Sequence, residues 1–222
     1  MSSLTNTFTP PLTQEQRDAL TGGGKSRKKK DEAARARGRA AAPDANRTRN
    51  LINTSLIRAV QNGQADTVRR LLDAGASTEA TDNDENPALI FAAQNGNVEI
   101  VRLLLRAGAN VNATNINRHT ALIAAAQNGH AEIVPLLLDR GAHVNAFNND
   151  EDTALISAAG NGHADIVELL LDRGAHVDAA NRAGNTALIM ATVNGHARIV
   201  ELIEDEALPD LEEEEEGKWH VP

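Results

Sequence analysis

Seven histidines are the first residues here whose type could do chemistry. Their spacing argues against a metal site. His143 and His176 stand 33 residues apart, at equivalent points of a repeated pattern. Equivalent points on packed helical layers lie about 10 Å apart. A shared zinc would need both nitrogens about 2 Å from the ion. His130, His163 and His196 keep the same step, each directly behind a glycine. A Ser-His-Asp set drawn from this chain would consist of repeat positions, so nucleophilic catalysis has no support. Gly24-Lys25-Ser26 matches the end of a phosphate-binding loop. The glycine required five residues before Gly24 is Ala19, and no strand precedes it. There is no cysteine, which excludes disulfides and thiolate ligands. The reading is a protein that is not an enzyme and uses no cofactor or metal.

The chemistry left is recognition by charge. Residues 1–49 hold 11 Lys or Arg against 5 Asp or Glu, a net of +6, and the remainder nets −15. The basic run Lys25, Arg27, Lys28, Lys29 and Lys30 has the composition of a nuclear import signal or an anion contact. A solvated tail is the simpler reading. The acidic run Glu212–Glu216 reads as solubilising.

What must position any contact residue is a 33-residue repeat. Asn-Gly recurs at Gly63, Gly96, Gly129, Gly162 and Gly195, and Gly-Ala at Gly75, Gly108, Gly141 and Gly174. A fixed period of this length signals a stacked repeat protein. Each unit opens with a turn and then reads Thr-Ala-Leu-Ile, as at Thr120–Ile123, Thr153–Ile156 and Thr186–Ile189, with variants from Thr54 and Pro87. Thr or Pro suits a helix start. The Asn-Gly pair ends that helix. A second helix follows (Ile100–Leu105, Ile133–Leu138, Ile166–Leu171) behind a carboxylate at Asp66, Glu99, Glu132 or Asp165. Stacked pairs share one continuous core. The fifth unit turns polar at Glu201, Glu204, Asp205 and Glu206, as a cap would. Residues 1–49 lack an apolar period and read as a disordered basic region, with a short capped helix from Thr13 and Gln16 to Leu20. The repeat domain is set at 50–207 and an acidic disordered tail at 208–222.

Residues 51–206 resemble the ankyrin repeat, whose pattern runs Thr-Pro-Leu-His, Ala-Ala, Gly-His, Ile-Val, Leu-Leu, Gly-Ala, Val-Asn-Ala. The resemblance implies an all-α solenoid of five stacked helix-turn-helix pairs with hairpin-like turns. It also implies structural histidines at His130, His163 and His196. Ile57, Ile90, Ile123, Ile156 and Ile189 replace the family histidine, so apolar packing is expected there. Glu85, Arg118 and Glu151 replace the early turn glycine that Gly184 keeps, so less regular turns are expected. Pro135 falls inside a second helix. It costs about 3 kcal/mol unless it lies in the first turn, so distortion is expected.

For function, the resemblance implies a non-enzymatic protein-interaction module or scaffold that binds a macromolecular partner on the concave face. Positions that vary between copies are free of the scaffold's demands. At the turn tips these are Asp84, Glu85, Asn86, Asn117, Arg118, His119, Asp150, Glu151, Asp152 and Asn185. Along the first helices they include Phe91, Gln94, Gln127 and Met190. Phe91 and Met190 could anchor a partner or fill the seam between layers. The acidic tips favour a protein with a basic patch and oppose nucleic acid. Two alternatives stand: a nuclear regulatory or nucleic-acid-associated factor that uses the basic segment, and a substrate-recognition adaptor of an enzyme complex. The opening residues carry no signal-peptide pattern and no stretch is long enough to span a bilayer. An intracellular monomer, cytoplasmic or nuclear, is expected.

Overall fold

The computed structural model describes residue 13 and residues 45–207. The chain divides into two compact units, Met1–Thr48 and Arg49–Pro222. Ten helices occupy the described residues, in five consecutive pairs. The pairs are α1 (Ala45–Gln61) with α2 (Ala65–Asp73), α3 (Ala88–Gln94) with α4 (Val98–Arg106), and α5 (Ala121–Gln127) with α6 (Ile133–Leu138). They continue with α7 (Ala154–Asn161) and α8 (Ala164–Asp172), then α9 (Ala187–Val193) and α10 (Ala197–Ala207). First helices α3, α5, α7 and α9 pack in succession, each also against its own second helix. The all-α solenoid expected from the repeat is the fold observed.

The repeated residues explain each element. Thr120, Thr153 and Thr186 precede α5, α7 and α9 in extended conformation, and their hydroxyls accept the amides of Ile123, Ile156 and Ile189 at 3.2, 3.2 and 3.3 Å. Such caps contribute about 1 kcal/mol each. Pro87 precedes α3 without a side-chain cap. The core is one seam of Leu, Ile, Val and Ala from all ten helices. Apolar packing does replace the family histidine: Ile57, Ile90, Ile123 and Ile156 are 5, 3, 1 and 2% exposed.

Four expectations are corrected. Thr54 does not start a helix. It lies inside α1 and its hydroxyl donates to the Asn50 carbonyl at 2.9 Å. No hairpin turns the chain before it, and Ala45–Asn53 carry the helix upstream. The segment expected to lack structure through residue 49 therefore yields its last five residues to α1. The helix expected from Thr13 to Leu20, the basic run Lys25–Lys30 and the tail from 208 lie outside the described residues, Thr13 excepted. The turns lacking glycine are as regular as the one that has it. Glu85, Arg118 and Glu151 adopt φ of 58, 57 and 64°, beside 78° at Gly184. The same turn hydrogen bond forms in all four, from the amides of Glu85, Arg118, Glu151 and Gly184 to Asp82, Asn115, Asn148 and Asn181.

Pro135 shortens α6 as expected. That helix has 6 residues where α4 and α8 have 9. Pro135 falls in its first turn, so the interior penalty does not apply. The last correction is the cap, which is polar on α10 at Glu201, Glu204 and Asp205 but not on α9. Ile189 is 41% and Val193 77% exposed.

A left-handed backbone costs a non-glycine residue about 1–2 kcal/mol, partly offset by the greater entropy glycine loses on folding. Glu151→Gly is therefore expected to raise stability by up to about 1 kcal/mol. Gly184→Ala is expected to lower it by about 1 kcal/mol, because a Cβ there meets nothing within 4 Å and only the backbone is strained. Urea unfolding of both variants checks the pair.

Candidate functional site

Four hairpin turns join successive pairs, each closed by an antiparallel bridge: Thr81 with Pro87, Thr114 with Thr120, Phe147 with Thr153, and Ala180 with Thr186. One side chain organises each tip. Asp82 accepts the amides of Asp84 and Asn86 at 2.9 and 2.8 Å. Asn115, Asn148 and Asn181 accept the corresponding amides at 2.9–3.0 Å. A short side-chain acceptor folding back onto its own backbone holds a turn without partners elsewhere.

The tips are also joined to one another. Asn115 Nδ2 donates to Asn86 Oδ1, and Asn181 Nδ2 to Asp152 Oδ1, both at 2.8 Å. The amides of Asn149 and Arg182 donate to the carbonyls of Asn117 and Asp150 at 2.9 and 2.8 Å. Of the tip residues singled out by variation, Asn86, His119, Asp152 and Asn185 are therefore half-buried parts of this lattice. Asp84, Glu85, Asn117, Arg118, Asp150 and Glu151 are exposed. Gln94 and Gln127 are exposed on the first helices, whereas Phe91 and Met190 are half-buried and packed against the core.

Burial, the largest effect on His119, pulls its imidazole below the ordinary value. A hydrogen bond with Gln127 and the charge of Asp152 work the other way without reversing it. For Asp82, burial acts to raise the carboxyl, but the hydrogen bonds from Asn86 and Asp84 outweigh it, and the group sits below its ordinary value.

His130, His163 and His196 are stitches between layers. Their Nε2 atoms meet the carbonyls of Gln94, Gln127 and Gly160 at 2.9, 3.2 and 3.3 Å. A carbonyl only accepts, so Nε2 carries the proton in each. The ring lies against the turn glycine of the preceding pair. A Cβ on Gly129 would stand 2.6 Å from His163 Cε1, and φ there is 75°. Glycine is required at that point twice over, for its backbone and for the ring beside it.

Tips and first helices together enclose an open cavity of about 710 Å³. It brings together Asn117, His119, Gln127, Asp150, Asp152 and Met190 from the predicted set. Asp84, Glu85, Asn86, Phe91, Gln94, Arg118, Glu151 and Asn185 lie outside its lining. Its walls also include Asn115, Asn148 and Asn149, which variation at the tips did not single out. Phe147 was missed as well. It is 41% exposed, and the Arg118 guanidinium lies 4.5 Å above its ring. Its signal was available, since the equivalent positions hold Thr81, Thr114 and Ala180.

The family model for ankyrin repeats (three copies) matches residues 56–148 and 146–212. The chain belongs to the ankyrin repeat family. No curated protein matches it. Ankyrin repeats are generally protein–protein interaction modules and typically not enzymes. Among the described residues of this ankyrin stack, no helix is long and apolar enough to cross a membrane.

Two outcomes follow from this geometry. His119 has a depressed folded-state pKa, so below about pH 6.5 the unfolded chain takes up the proton first. Its contribution to stability is complete above that pH and is lost as pH falls. His119→Gln is expected to flatten the decline in stability between about pH 7 and 5, measured by urea unfolding across that range. Gly129→Ala is expected to cost more than about 1 kcal/mol. Adding His163→Ala should return part of that loss and leave the backbone strain, which a double-mutant cycle separates.

Proposed function

We propose that residues 50–207 form a binding module that captures a protein partner with a basic patch in the groove between the turn tips and the first helices. The observation that carries this reading is the state of the tip carboxylates. Asp84, Glu85, Asp150 and Glu151 are exposed and join none of the ion pairs among the described residues. Charges elsewhere on the stack do pair, as Arg69 with Glu99 at 2.8 Å and Arg173 with Asp139 at 3.1 Å. Acidic side chains left open on one edge attract a cationic surface and raise its association rate.

Backbone strain supports the same edge. Three non-glycine residues hold left-handed φ at the tips, two of them glutamates. Sparsely populated backbone conformations concentrate at binding and functional sites. Glycine would relieve the strain, so the side chains retained there have a use that backbone economy does not supply.

The test is affinity purification with the full chain as bait, followed by titration of the partner recovered. Reversal of four charges (Asp84→Lys, Glu85→Lys, Asp150→Lys, Glu151→Lys) is expected to weaken binding about tenfold or more, at a few tenths to 1 kcal/mol per exposed pair. It should also flatten the dependence on salt. Unchanged affinity and salt dependence would end this reading.

A further inference from the structure

One position breaks the regularity of the first helices. Gln61, Gln94, Gln127 and Val193 occupy it in four of the pairs, and Gly160 in the fifth. Gly160 is a helical residue near the end of α7, without the positive φ that justifies the turn glycines. Glycine inside a helix costs about 1 kcal/mol relative to alanine. Its backbone offers no compensation here, so the missing side chain is what matters. Its absence leaves space in the 710 Å³ cavity, on whose lining Gly160 lies. Only Met190 approaches, its Cε 3.0 Å from where a Cβ would stand.

The lining of this space has one sign of charge. Asp150 and Asp152 contribute carboxylates, and no Lys or Arg lines it. Asp150's side chain has no hydrogen-bond partner, and Asp152 uses only Oδ1, which accepts from Asn181. Ser157 adds a hydroxyl, also without a partner. His119 on the opposite wall is held toward its neutral form by burial and offers no competing cation. Met190 supplies an apolar flank for an alkyl stem, as long cationic side chains require.

From the gap at Gly160 and the unpaired acceptors around it, we infer that this cavity is a subsite for one arginine side chain of the partner. The guanidinium takes the place of the absent side chain at Gly160 and donates to Asp150, Asp152 and Ser157. Several acceptors spread around one space match a planar fork of five donors better than a compact ammonium. The subsite rests on the groove being the partner surface. It deepens that reading, since it makes one first helix rather than the acidic edge as a whole decide specificity.

The test uses the full chain, labelled with nitrogen-15, and three probes: N-acetyl-arginine amide, N-acetyl-lysine amide and a nona-arginine peptide. Arginine amide is expected to give saturable shifts at the amides of Ser157, Gly160 and Asn161. Gly160→Gln restores the side chain that α3 and α5 carry and should abolish those shifts. It should also weaken nona-arginine about tenfold, or 1.4 kcal/mol. Asp152→Asn keeps shape and the Asn181 hydrogen bond while removing charge, and should act in the same direction, so the result does not depend on one variant folding. Shifts confined to the tips, equal shifts with lysine amide, or unaltered nona-arginine binding in both variants would overturn the subsite. If nona-arginine does not bind the unaltered chain in a salt-dependent manner, the acidic-groove reading fails and the subsite with it. Binding that ignores both variants removes the subsite alone.

Discussion

Burial of each layer by the next is the constraint on which this stack depends. Ile156 and Ile189 occupy the same position in successive pairs, yet one is 2% exposed and the other 41%. Their local sequences are nearly identical, Thr-Ala-Leu-Ile in both. What differs is that α9 lies over Ile156 and no helix among those described lies over Ile189. Full burial of such a side chain contributes about 1.5–3 kcal/mol, so a single pair has little to hold it together. The aromatic-poor core follows from the same geometry. Helices at close spacing leave room for Ala at Ala92, Ala125 and Ala158, all fully buried, and not for rings.

Polar groups do for the hairpin turns what the apolar seam does for the helices. Each tip is closed by its own Asp or Asn and then tied to the next tip through side-chain amides or backbone. The histidines add a third line of contact at the far end of the first helices, across turn glycines that admit no Cβ. Three parallel rows of inter-layer contact explain why the turns with Glu85, Arg118 and Glu151 keep the geometry of the turn with Gly184. The lattice on either side over-determines their backbone, and strain that an isolated hairpin would relieve is retained.

This division of labour also separates scaffold from contact surface. Variation between copies marks Asn86, His119, Asp152 and Asn185 as free, but their half-buried side chains and amides belong to the lattice. Their freedom is chemical: amide, imidazole and carboxylate can all sit in that row. Residues one or two places earlier in each tip project outward and carry the charge. Phe147, opposite Thr153 in its bridge, projects from another part of the finger and stacks under Arg118.

The 33-residue period, the helix starts and stops, the all-α class and the structural use of His130, His163 and His196 were legible in the sequence. They are set by local chemistry: a hydroxyl that caps, a glycine that admits left-handed backbone, an apolar stripe at helical spacing. Residues that act across layers were not legible. Thr54 reads as a cap and sits mid-helix, because the helix upstream of it, and not its own hydroxyl, decides where α1 begins. Glu151 reads as a departure from a regular turn and forms one, because neighbouring tips impose the backbone. Gly160 reads as one more small residue and opens a cavity, because only the packing of α5, α7 and α9 shows what its missing side chain would have filled. Local propensity acts within a turn or two of chain, whereas cavity, strain and exposure depend on residues about 33 positions away.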